Sequence, residues 1–484
     1  MIRLKFLARA IVLLMALTGP ALAQEAASAA SDGTSILLSA TEPPPRSKEA
    51  LFGDTAAEDP LSKEALFGAP ASPAEKSGVK LSGSFDILGA YTYGDPVHWS
   101  RGVGRLAIAA QGALSESVKW KLGGRVDGDA VYAASSFYLE PVKANQRFSA
   151  IWGENYIDFA ASDSWDFRVG AQQIIWGEVI GLFFADVVSA RDMREFLLPA
   201  FDVIRIPQWA ARAEYFAGDS HVEFIWIPIP TFDRIGKPGA DFYPAPLPSP
   251  TPSAVAALFL DPRRPDRNLS NSNYGVRANT LVSGWDLAAF YYRSFSSSPT
   301  FYRLPTGTPD QPFVFQPLYD RIWQAGGTMS KDLGDMVLRA EAVYASGQGY
   351  SVTDPAVPLG VVRRSTLDYI ISVEFPLPGD TRLNVQGFQR AYYDGGGGGI
   401  AVKSDGFGAS IFLSTKLSAA FEPQILWIQN FKDAGGLVRP RLNWYAAKNT
   451  TAGFGVDIFT GPADGYFGRY NNRDRVYAEL RYDF

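Results

Sequence analysis

The last ten residues constrain the fold more than any other part of the chain. Val476, Ala478, Leu480, Tyr482 and Phe484 fall on one face of an extended segment; Arg475, Tyr477, Glu479, Arg481 and Asp483 fall on the other. A period of two marks a strand with one apolar and one polar side. The alternation recurs from Val79 onward. Leu367, Tyr369, Ile371 and Val373 alternate with Asp368, Ile370, Ser372 and Glu374, and Trp120, Leu122, Gly124 and Val126 with Lys121, Gly123, Arg125 and Asp127. One such strand also suits a soluble sandwich. Repeated along the whole chain at about ten residues per segment, the pattern suits tilted strands crossing a bilayer. Hydrocarbon offers backbone N–H and C=O groups no partner, so a spanning sheet must close on itself.

The connections give an independent test. Short links fall near 115–116, 162–163, 218–219, 283–284, 333–334, 378–379, 417–418 and 448–449. Between them lie mostly longer ones, at 94–100, 133–144, 176–208, 229–272, 296–318, 347–364, 393–403, 432–436 and 460–472. Outer-membrane barrels pair short periplasmic turns with longer outer loops. The sequence therefore predicts an all-β fold: a closed antiparallel transmembrane β-barrel of about 18 strands over residues 79–484, or 16 if two weak hairpins merge. Residues 1–23 read as a signal peptide: Arg3, Lys5 and Arg9 precede a short apolar run, and Ala21-Leu22-Ala23 fits a cleavage site. Residues 24–78, rich in Ala, Ser, Pro and Glu, read as a disordered periplasmic tether. The heptapeptide Ser47–Gly53 recurs identically as Ser62–Gly68. Leu51, Phe52, Leu66 and Phe67 either dock on a periplasmic partner or belong to a duplicated spacer.

Composition removes other classes. With no cysteine, disulfides and thiolate metal sites are excluded, and only His98 and His221 are available for imidazole chemistry. Three adjacent residues, Asp219, Ser220 and His221, do not converge as a triad, so His221 reads as a surface residue of a turn and His98 as one of an outer loop tip. No catalytic residue, metal or cofactor is expected. The glycine run at 395–399 lacks a strand–loop–helix context and reads as a mobile loop, not a phosphate cradle. A net charge of −5 weighs against nucleic-acid binding.

With the polar faces turned inward, Arg125, Arg168, Arg212, Arg277, Arg339, Arg382, Arg390 and Arg441 line the lumen, together with acids including Glu214, Glu223, Glu341 and Glu374. These charges either pair across neighbouring strands or form a ladder for an anionic solute. The 176–208 segment is expected to fold inward and narrow the pore, with Trp176, Glu178, Asp186, Arg191, Asp192, Arg194 and Glu195 at the constriction and Ser189 capping a short helical turn that stops at Pro199. The 229–272 loop is rich in proline and cannot continue the sheet; its apolar piece Ala254–Leu260 forms either a helix over the mouth or a receptor surface.

Arg168-Val169-Gly170, Trp176-Gly177-Glu178, Asp186-Val187-Val188 and Arg191–Glu195 resemble an outer-membrane family known as domain of unknown function 1302. The similarity is clear over about residues 165–230. More distantly the chain is similar to alginate-export barrels of the porin superfamily. The resemblance implies a barrel in the outer membrane of a Gram-negative bacterium, with a loosely defined transport role. It implies anionic polysaccharide export only if the lumen is continuously basic. The terminal aromatic Phe484 resembles the signal such barrels present to their assembly machinery. The expected function is a channel passing polar or anionic solutes, narrowed by residues 176–208. The alternative is the outer-membrane part of an export system, or an anchor recruiting a periplasmic partner through the tether. Expected partners are outer-membrane lipids, the barrel assembly machinery and that periplasmic protein.

Overall fold

The computed structural model describes residues 78–484 apart from 180, 246 and 396–398. The expected signal peptide, the tether with Leu51, Phe52, Leu66 and Phe67, and the centre of the glycine run lie outside the described residues. Eighteen strands follow one another around a closed antiparallel sheet. They are β1 (Lys80–Thr92), β2 (His98–Ala113), β3 (Val118–Asp129), β4 (Phe148–Trp152 continuing as Asn155–Ser162), β5 (Trp165–Gln172) and β6 (Gln208–Ala217). Next come β7 (Ser220–Ile227), β8 (Asn273–Val282), β9 (Trp285–Phe295), β10 (Arg321–Asp332), β11 (Val337–Ser351) and β12 (Val361–Leu377). The last are β13 (Thr381–Tyr392), β14 (Gly406–Thr415), β15 (Phe421–Asn430), β16 (Gly436–Ala447), β17 (Thr450–Thr460) and β18 (Arg475–Asp483). Both pieces of β4 pair with β3, so they count as one strand interrupted at Gly153 and Glu154. The ring closes where β1 pairs β18, from Ser84 opposite Asp483 to Thr92 opposite Arg475. The count is 18, so the 16-strand alternative falls.

Every second link is a tight turn, and all the tight turns lie at one end. Ser283 and Gly284 both take positive φ (51° and 76°), the mirror-image geometry that matches the twist of a two-residue hairpin. The opposite end carries the loops, the longest between β5 and β6, between β7 and β8, and between β9 and β10, where Thr300–Thr308 and Gln311–Leu318 make a separate hairpin.

Alternation decides which side chains face outward. Val476, Leu480 and Tyr482 are 44–48% exposed, while Arg475 on the same strand is 3% exposed. Outward aromatics gather near both ends. Tyr291, Trp323, Tyr344 and Tyr393 form a chain of ring contacts at the loop end; Phe159, Phe167, Trp165 and Tyr215 form another at the turn end. Amphipathic rings at both rims of an apolar band are what a membrane-spanning barrel requires.

The buried apolar clusters lie inside this barrel because its loops supply half of them. One joins Ile174, Trp176, Ala185 and Val188 to inward residues of β6, β7, β9 and β11, among them Ala210, Ile225, Ile227, Phe290 and Val343. Another joins Phe196, Leu198, Phe242, Phe467 and Tyr470 to Ile428, Leu437 and Phe459.

Candidate functional site in the barrel lumen

The link between β5 and β6 carries the site. It starts against one part of the wall. Trp176 is buried, and its indole N–H donates to Glu223 of β7 at 2.7 Å. Burying an aromatic of this size contributes on the order of 2–3 kcal/mol. The Glu178 carboxylate accepts from Arg277 of β8 at 3.4 Å and from the Thr328 hydroxyl of β10 at 3.1 Å. Glu341 of β11 then gathers the backbone. Its carboxylate accepts the N–H groups of Val179 and Ala185, both at 2.7 Å, and that of Glu178. A buried carboxylate satisfied by three main-chain donors fixes a loop firmly, since each charge-assisted bond is about twice as strong as a neutral one.

The chain then reaches a different stretch of wall. Phe183 lies against Phe201, with the guanidinium of Arg191 over its face at 4.2 Å. Asp186 pairs with Arg205 at 3.1 Å and with Arg191 at 3.9 Å. Asp192 caps the 3-10 turn Met193–Glu195, and Arg194 forks onto its carboxylate at 2.8 and 2.6 Å. Glu195 sits between Arg101 of β2 at 2.8 Å and Arg475 of β18 at 3.0 Å. Arg439 of β16 donates to the Leu198 carbonyl at 2.9 Å. The segment is thus bonded to β7, β8, β10 and β11 at one end and to β2, β16 and β18 at the other. Burial alone would raise the carboxyls of Asp192 and Glu195, but the guanidiniums of Arg194 and Arg234 at the first, and of Arg101 and Arg475 at the second, hold both below their ordinary values.

Seven residues were expected at one constriction. The structure separates them into a group on β7–β11 (Trp176, Glu178), Glu195 between β2 and β18, Asp192 and Arg194 against Arg234, Asn145 and Ser149, and Asp186 and Arg191 between. All of them are engaged in fixing the segment. Ser189 caps no helix; its hydroxyl donates to the Ile174 carbonyl at 2.9 Å, and the cap is Asp192 because the turn starts later.

The inward arginines are paired. Arg125 meets Asp127 at 3.1 Å, Arg339 meets Glu374 at 2.6 Å, Arg390 meets Asp368 at 2.6 Å and Arg441 meets Glu479 at 3.0 Å. Arg168 bonds Asp158, Arg212 bonds Glu214 and Glu223, Arg277 bonds Glu178, and Arg382 also has a partner. Compensation within strands, across strands and from the loop therefore describes this wall, and a bare cationic ladder does not.

Both histidines depart from the expectation of surface imidazoles. His221 is the second residue of β7 and faces inward, 2.9 Å from Glu214. Glu214, His221 and Glu223 bring ligand atoms within 4.8 Å of one another, but Arg212 already bonds both carboxylates, so a cation would have to displace a guanidinium there. His98 is buried at the start of β2, stacked on Phe137 at 4.0 Å and bonded to Asp241 at 3.1 Å. Asp241 belongs to the proline-rich loop. It also accepts from the Tyr138 hydroxyl at 2.7 Å and pairs with Arg473 at 3.3 Å, tying three loops together over the mouth. Despite burial, His98 and Arg473 hold its carboxyl below the ordinary value. The Ala254–Leu260 piece makes only one helical turn, Ser253–Ala256, before Phe259 bridges to Phe315 of the separate hairpin.

Alternation already turned Glu223 and Glu341 inward; what each of them meets was out of reach. The docking wall did leave a signal. Strand β7 reads apolar on both faces, with Phe224 and Trp226 outward and Ile225 and Ile227 inward. A barrel strand of that kind is covered from inside.

Among solved structures, the chain is similar to Acinetobacter baumannii OccAB4 (7% identity, 84% of this chain and 99% of that chain covered, TM-score 0.48). It is similar to the outer membrane protein OpdK from Pseudomonas aeruginosa (9%, 84% and 99%, 0.47) and to Salmonella typhi OmpF in complex with daunomycin (9%, 84% and 98%, 0.44). These are likenesses of fold alone. No curated protein matches the sequence. A family model described as "Protein of unknown function (DUF1302)" matches residues 121–484.

Proposed function

The chain belongs to the DUF1302 family, and from the lumen of this member we propose an outer-membrane channel for small polar solutes, narrowed by the segment between β5 and β6. The observation that carries the reading is the course of that segment, bonded to Glu341 of β11 at one end and to Arg101 and Arg475 at the other. A segment held at both ends inside a barrel limits what passes without depending on loop motion. The wall beside it carries compensated ion pairs, which favours solutes recognised by hydrogen bonding over solutes selected by charge. For the same reason export of an anionic polysaccharide, which calls for a continuously basic lumen, is not the reading we prefer.

The test is single-channel conductance of the refolded protein in a planar bilayer, beside a variant in which a short Gly-Ser linker replaces residues 176–207. The expected outcome is a steady pore that becomes severalfold more conductive in the variant. Equal conductance from the two folded proteins would sink the assignment of the constriction. The duplicated Leu-Phe heptapeptide favours a second reading, an anchor or export component that recruits a periplasmic partner. Under that reading both proteins are folded and silent.

A further inference from the structure

Outward-facing charged side chains are rare on these strands, and two lie close together at the loop end. Arg293 stands between Tyr292 and Ser294, which are buried on the inward face, so its own side chain points outward. In register it is flanked by Tyr274 on β8 and Trp323 on β10. Arg321 opens β10 opposite Phe295, with its guanidinium over that ring at 4.6 Å. It donates to the Ser272 carbonyl at 2.9 Å. Neither arginine forms an ion pair among the described residues, and the charge acting most strongly on Arg321 is that of Arg293. Arg125, Arg168, Arg212, Arg277, Arg339, Arg390 and Arg441, by contrast, have carboxylate partners.

Two like charges held together without an acid call for an anion from outside the chain. Their height identifies it. Tyr291 and Trp323 stack beside them in the loop-end aromatic girdle, and such girdles sit at the level of lipid headgroups. Guanidinium forks match phosphate oxygens in shape as well as charge. We propose that Arg293 and Arg321 form a binding site for the phosphate of an outer-leaflet glycolipid of the lipid A type, with Tyr274 and Trp323 flanking the headgroup. The choice of leaflet rests on the outer-membrane placement proposed above, which puts the long loops outside the cell.

The test is retention of lipid by the purified full-length protein through detergent exchange, read by native mass spectrometry. The probes are bis-phosphorylated lipid A, dephosphorylated lipid A and phosphatidylglycerol. Wild type is expected to hold bis-phosphorylated lipid A selectively. An R293Q/R321Q variant should hold it roughly 30-fold more weakly, from two surface cations at their usual strength. K331Q removes the cation that lies over Trp285 at the turn end and should behave as wild type. Unchanged retention in R293Q/R321Q overturns the site, and equal retention of dephosphorylated lipid A or of phosphatidylglycerol overturns the assigned lipid. Both arginines lie outside the lumen, so R293Q/R321Q should keep wild-type conductance, which also certifies its fold. A silent wild type that still retains lipid A through these arginines would fail the channel reading and leave this one standing.

Discussion

At the residue scale, one carboxylate has more influence on the lumen than any arginine in it. Glu341 accepts three main-chain N–H groups from a loop that starts six strands away around the ring. A glutamine there would turn an amide N–H₂ toward those donors and leave at least one unsatisfied, at a cost of about 1–3 kcal/mol. Glu341→Gln should therefore give a flickering current where wild type is steady, with a lower thermal midpoint. A quiet E341Q channel would show that the segment does not need this latch. Alternation puts Glu341 on the polar face of its strand, with Arg339, and Glu374 on that of the next. What it could not supply is the third dimension. The spacing of Glu341 along β11 carries no trace of the Val179 and Ala185 amides, and the histidines were misjudged for the same reason. His98 looks like a loop residue until Asp241 arrives from far along the chain.

At the element scale, the loops are held by acids whose charge is favoured in the folded state. Asp192, Glu195 and Asp241 all have carboxyls below their ordinary values. A depressed carboxyl contributes stability above the unfolded range near 4, and that contribution is lost as pH falls through the lower folded value. Asp233 has the opposite sign, because burial pushes its carboxyl up in spite of Arg191 and the bonds from Ser297 and Ser298. The depressed carboxyls of Asp192, Glu195 and Asp241 favour attachment at neutral pH. Open-channel current noise should be flat from pH 8 to pH 5 and rise below about pH 4. An onset near pH 6 would assign control to an imidazole instead. The strands and turns were legible because period two and turn chemistry are local. The internal course of the long loops was not, since Asp192 rather than Ser189 caps the 3-10 turn through contacts that no local rule anticipates.

At the scale of the whole molecule, compensation makes a prediction about current. Seven inward arginines are matched to acids around the circumference, from Arg125 with Asp127 to Arg441 with Glu479. A pore so balanced should discriminate weakly between cations and anions. Under a potassium chloride gradient the reversal potential should remain a small fraction of the Nernst limit. A strong anionic reversal would restore the arginine ladder as a selectivity device. The strand count followed from the sequence at this scale because closure is a global demand on every strand at once.

The segment proposed to narrow the lumen has a mechanical consequence as well. A hoop of single-layer sheet resists stretching well, because its hydrogen bonds run around the circumference, but it flattens easily. Ties from Glu341 and Glu223 at one end of the segment to Arg101, Arg439 and Arg475 at the other make it a strut across that hoop. Lateral pressure from the surrounding membrane then loads side-chain ion pairs inside the barrel before it shears the backbone ladder, and the bore keeps its shape while the sheet around it is squeezed.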